Sequence, residues 1–81
     1  MKINEKDLVH EAMLAQKEAI CPFSNYPVGA AIITKNGEIV RGFNIESKAY
    51  PTTLCAERVA IFSALAQGYR EFHAIAVVTI D

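Results

Sequence analysis

The chain has 81 residues, 52% hydrophobic and 21% charged, with eight basic residues against nine acidic ones and a formal charge of -1. That length admits one small domain with a thin core, and that composition argues against disorder. The near-neutral balance carries no footprint for a nucleic-acid backbone or an anionic membrane. The longest apolar runs, Val28 to Ile33 and Ala74 to Ile80, fall far short of the roughly 18 residues of a membrane span.

The first stretch is amphipathic and mixed in charge, without the apolar segment of a secretory signal, so a reducing, cytoplasmic setting is expected. Two cysteines, Cys21 and Cys55, are too few for a disulfide framework and read as free or metal-bound thiols. Asn4 as a cap, Asp7 in the first turn and Leu8, Ala12, Ala15 and Ala19 at helical spacing predict a first helix that Pro22 stops.

Val28 to Thr34 and Glu38 to Ile45 predict two strands joined at Lys35-Asn36-Gly37, where Asn-Gly can supply the positive φ angles of a tight hairpin. A polar loop around Pro51 follows. A second helix then fits Cys55 to Gln67, with Val59, Phe62 and Ala66 as its expected buried stripe and Gly68 as its left-handed stop. The run from Ala74 to Ile80 is apolar at consecutive positions and predicts a strand covered on both faces. The order ends in a β-α-β crossover, so an α/β layered fold is expected.

The segment Cys55-Ala56-Glu57-Arg58 places a thiol, a carboxylate and a guanidinium at the start of the second helix. In mid-helix, residues two apart point to different sides, whereas in the first turn their side chains can converge beyond the helix end. The helix terminus and Arg58 would favour the thiolate that binds metal. Read alone, Cys55 is better explained as a small buried hydrophobe, and Glu57 as a carboxylate suited to a helix N-terminus. Cys21 reads as a core or helix-end thiol, and His10 and His73 as surface or capping residues.

Three stretches decide between these readings: 22–31 (PFSNYPVGAA), 42–50 (GFNIESKAY) and 55–60 (CAERVA). In order and spacing they resemble the small, homotetrameric, zinc-dependent cytidine deaminases across essentially the whole chain. The resemblance implies a layered fold with a mixed sheet flanked by helices, of which three strands and two helices stand here. It implies hydrolytic deamination of cytidine or deoxycytidine in pyrimidine salvage. It makes Cys55 a Zn²⁺ ligand, Glu57 the proton shuttle and Arg58 an outer residue that offsets thiolate charge. Asn44 and Glu46 would hold the ribose, Tyr26 would lie near the pyrimidine, and Ala56 and Tyr50 would belong to the substrate site. A homo-oligomer is implied as well.

A catalytic zinc needs three protein ligands, and the family draws two from a Pro-Cys-x-x-Cys segment that this chain does not contain. Ser47 and Tyr26 are milder departures, standing where Asn and Phe are more usual. The chain by itself is therefore expected to be inactive and to be part of a longer enzyme. The alternatives are a non-catalytic folding or interaction module, and a deaminase of a related nucleoside antibiotic.

Overall fold

An unbroken apolar run calls for cover on both faces of a strand, and the run that receives it here is Gly29–Thr34, buried at every position. The computed structural model describes residues 5–22, 25–46 and 55–79. Its elements are α1 (Glu5–Gln16), β1 (Gly29–Thr34), β2 (Ile39–Phe43), α2 (Ala56–Ala66) and β3 (Phe72–Val78), in that order. Asn4, the expected cap of α1, lies outside the described residues.

The sheet order is β2-β1-β3, with both neighbours antiparallel to β1. β2 and β3 therefore point the same way on either side of β1, and α2 is the crossover between them. Alternation along β1 sends Ala31 and Ile33 to one face and Ala30 and Ile32 to the other. Leu8 and Ala12 of α1 pack on the first face with Ile39, Ala76 and Val78. Ala56, Ala60 and Ala64 of α2 pack on the second with Val40, Ile61 and Phe72. Glu11 of α1 also pairs with Arg41 of β2, N to O 2.5 Å.

Two glycines let the helices approach this closely. A Cβ at Gly29 would lie 2.8 Å from the Gln16 Cα, and one at Gly42 would lie 2.8 Å from the Ala60 Cα, on the opposite face. The stripe expected on α2 is corrected accordingly. Phe62 is 58% exposed and Ala66 is exposed, with Val59 only half-buried, while the alanines at four-residue spacing form the buried line. Contact with the backbone at Gly42 selects small residues, and size outweighs hydrophobicity at such a crossing.

The last strand departs from expectation in the same way. β3 is an edge of the described sheet, and Ile75 and Val77 are 43% and 47% exposed because α2 sits over β1 and β2. The doubly covered strand is β1. The hairpin turn also differs: Gly37 has φ 90°, but Asn36 does not have positive φ. The Gly37 N–H donates to the Thr34 carbonyl and the Thr34 N–H to the Glu38 carbonyl, giving a three-residue loop with one left-handed glycine.

α1 stops at Gln16 rather than reaching Ala19. Lys17, Glu18 and Ala19 donate to carbonyls three residues back, tightening the end. The chain then reaches Ile20, which bridges Ile45 in parallel, its N–H donating to the Asn44 carbonyl and its carbonyl accepting from the Glu46 N–H. At the far end of α2, Gly68 has φ 98°. Its N–H and that of Tyr69 bond to Leu65 and Ala64, the expected left-handed stop.

Candidate active site

Strands β2 and β3 end on the same side of the sheet, and α2 begins there. In α/β layers this is where ligands are held, because strand ends and helix N-termini leave polar groups and space unfilled. A pocket of about 490 Å³ occupies the position, lined by Tyr26, Val28, Asn44, Glu46, Cys55, Ala56, Glu57, Val77 and Thr79.

Cys55 is the residue before α2, in extended conformation at φ -73° and ψ 145°, and its side chain makes no capping hydrogen bond. It is exposed. The hydrogen bonding of α2 opens with the Val59 N–H donating to the Cys55 carbonyl. The N–H groups of Ala56, Glu57 and Arg58 therefore have no acceptor within the helix, and Ala56 and Glu57 line the pocket. Ala56 itself is 1% exposed, fixed by its packing over Gly42. Glu57 is exposed in the first turn.

Across the pocket, Asn44 and Glu46 follow the end of β2 and are buried, at 6% and 9% exposure. Asn44 Oδ1 accepts from the Val28 N–H at 2.9 Å, and Asn44 Nδ2 donates to the Tyr26 carbonyl at 2.9 Å. Gln16 Nε2 donates to the Pro27 carbonyl at 3.0 Å. Two side-chain amides thus hold three successive residues of the segment that carries Tyr26.

Every residue assigned to the site from the resemblance that lies in the described chain lines this pocket, except Arg58, while Cys21, His10 and His73 stand outside it. Arg58 is exposed and forms no ion pair among the described residues. Tyr50 lies outside the described residues. Val28, Val77 and Thr79 were not anticipated. Their signal was topological: Val28 enters β1 beside the end of β2, and Val77 and Thr79 end the strand parallel to β2.

The donors facing the pocket are one thiol, Cys55, and two carboxylates, Glu46 and Glu57. Cys55 suits zinc by donor type and by its position at a helix N-terminus. Among the described residues no three His, Cys, Asp or Glu side chains stand together to hold a metal ion.

Residues 2–81 match the family described as the cytidine and deoxycytidylate deaminase zinc-binding region. A cytidine deaminase of Sporosarcina psychrophila is 48% identical over 71 residues, 88% of this chain and 52% of its own. A blasticidin-S deaminase of Bacillus cereus is 38% identical over 77 residues, 94% of this chain and 55% of its own. The crystal structure of cytidine deaminase from Burkholderia pseudomallei superposes with a TM-score of 0.91 at 47% identity, covering 95% of this chain and 62% of that one. The chain spans about half the length of the curated relatives it matches.

Proposed function

The chain belongs to the cytidine and deoxycytidylate deaminase zinc-binding family, and on that premise we propose that it forms part of an enzyme hydrolysing cytidine or deoxycytidine to the uridine product and ammonia. The observation that carries this reading is the single pocket in which Cys55 and Glu57 of the α2 end face Asn44 and Glu46 beyond β2. A ring amine is displaced by water only if one water proton reaches the ring nitrogen and the other the departing nitrogen, while the oxygen stays on the ring carbon. Glu57, exposed at the helix end and lining the pocket, is the group for that transfer.

Cys55 would hold zinc together with ligands beyond the described residues. Bound zinc would supply the Lewis acidity that makes water acidic enough to attack at neutral pH. Arg58, exposed one residue after Glu57, would offset thiolate charge. The N–H groups of the first α2 turn, that of Ala56 among them, are suited to an acceptor on the base. Asn44 and Glu46 offer amide and carboxylate groups to sugar hydroxyls, and Tyr26 offers a ring to the pyrimidine. Tyr50 is assigned to the same site by resemblance.

The elements α1 to β3 would then be one portion of a deaminase domain, acting in cytoplasmic pyrimidine salvage. Among the described residues no helix is long and apolar enough to cross a membrane. A homotetramer is the proposed assembly, and the exposed Phe62 of α2 supplies apolar surface that association would bury.

The test is to load the complete native protein with zinc and follow ammonia release from cytidine, deoxycytidine and blasticidin S. Turnover of the first two is expected. No release from any of the three would overturn the reading, and preference for blasticidin S would move the substrate class to the antibiotic.

A further inference from the structure

The rung between Val28 and Asn44 is irregular. Continuing the β1–β2 register past Gly29↔Phe43 would pair these two residues at a rung of the hydrogen-bonded kind, which alternates along the ladder from Thr34 and Glu38 and exchanges both N–H···O bonds. Only one is made between backbones, from the Asn44 N–H to the Val28 carbonyl at 3.2 Å. The Asn44 carbonyl has turned to Ile20, whose N–H it accepts at 3.0 Å. The Val28 N–H is met instead by the Asn44 side chain, at 2.9 Å.

The orientation of that side chain follows from its two partners. An N–H requires an acceptor and a carbonyl requires a donor, so Oδ1 must face Val28 and Nδ2 must face Tyr26. Only a short side chain with both functions at one planar end can serve both from this position. One amide therefore completes the sheet, frees a carbonyl to hold Ile20, and pins the backbone on either side of Pro27. It does so at 6% exposure, where an unmatched polar group is costly.

We propose that Asn44 is a positioning residue, which sets the Tyr26 wall of the pocket by locking the backbone of residues 26–28 before any substrate arrives. This function is distinct from a direct bond to the sugar and is compatible with it, since one Nδ2 hydrogen is left over. The kinetic part of the inference rests on the deaminase reading, and the structural part does not.

The experiment uses the complete native protein and its Asn44→Ala and Asn44→Asp variants. Amide hydrogen exchange is measured without ligand, and kcat/KM is measured for cytidine and for its 2′,3′-dideoxy analogue, which lacks the sugar hydroxyls in question. In Asn44→Ala, protection of the Val28 amide falls roughly tenfold or more while β3 amides hold. kcat/KM falls roughly tenfold or more for the dideoxy analogue and at least as far for cytidine, which also loses the group offered to its sugar hydroxyls. Asn44→Asp keeps an acceptor for Val28 but turns an oxygen on the Tyr26 carbonyl, so kcat/KM for the dideoxy analogue falls in this variant as well, and it decides the matter if the alanine variant does not fold.

Unchanged Val28 protection in Asn44→Ala, or an undiminished kcat/KM for the dideoxy analogue in Asn44→Asp, overturns the proposal. A kinetic loss confined to cytidine overturns it too, because Asn44 would then be a sugar ligand alone. If the wild-type protein deaminates neither substrate, the deaminase reading fails, and the exchange measurement still decides the role of Asn44.

Discussion

Gly42 lies directly beneath Ala60: a Cβ added to the glycine would stand 2.8 Å from the Ala60 Cα and closer still to the Ala60 nitrogen and the Ala56 carbonyl. All three are backbone atoms, so no rotamer change relieves the contact, and α2 as a whole must move. Gly42→Ala is expected to destabilise the complete protein by about 1–3 kcal/mol. It should also lower kcat/KM roughly tenfold or more, since Cys55 and Glu57 shift against Asn44. Thermal denaturation and cytidine turnover check both, and a variant with wild-type activity would show that α2 placement does not govern the site.

Cys55 stands at the N-cap of α2 without capping it. Serine is a strong N-cap in the extended conformation this residue already has. Cys55→Ser is therefore expected to lose zinc, read by metal analysis, while stabilising the metal-free protein by up to about 1 kcal/mol. Retention of stoichiometric zinc in this variant would remove Cys55 from the ligand set.

Glu57 is exposed at the pocket and is assigned the proton transfer rather than metal binding. Glu57→Gln preserves size and polarity and removes only the titratable function. The zinc content should stay unchanged and kcat should fall roughly 10²-fold or more. Loss of zinc together with activity would instead make Glu57 a ligand.

Gly68 has φ 98°, and a Cβ there would meet nothing within 4 Å. The cost of Gly68→Ala is therefore backbone strain alone, about 1 kcal/mol, and Gly68→Asn should cost less because asparagine tolerates the left-handed region. Urea denaturation of the two variants measures the difference. Equal stability of Ala and Gly at this position would mean that the helix end relaxes.

Much of the fold was legible because its signals are local. Pro22, Gly37 and Gly68 punctuate the chain through φ preferences that belong to the residue itself, and they bounded the elements to within a few positions. The candidate site was legible only through the resemblance of 22–31, 42–50 and 55–60 to a known family, since Cys55 and Glu57 read alone have ordinary explanations at a helix start.

What the sequence by itself determined is therefore the order of elements, the places where the chain turns between them and the residue types that stand at the start of α2. Which apolar residues are buried was decided by the tertiary structure. Phe62 and Val77 are more hydrophobic than Ala60 and Gly42, yet α2 meets the sheet where backbone approaches backbone, and only the smallest side chains fit that crossing. The same holds for β1 and β3, whose apolar runs look alike. Pairing on both edges buries one, and placement at the margin of the described sheet leaves the other exposed. Burial and the Asn44 bonds depend on what lies across space, at sequence separations of 16 to Val28 and 18 to Tyr26, which periodicity along the chain does not encode.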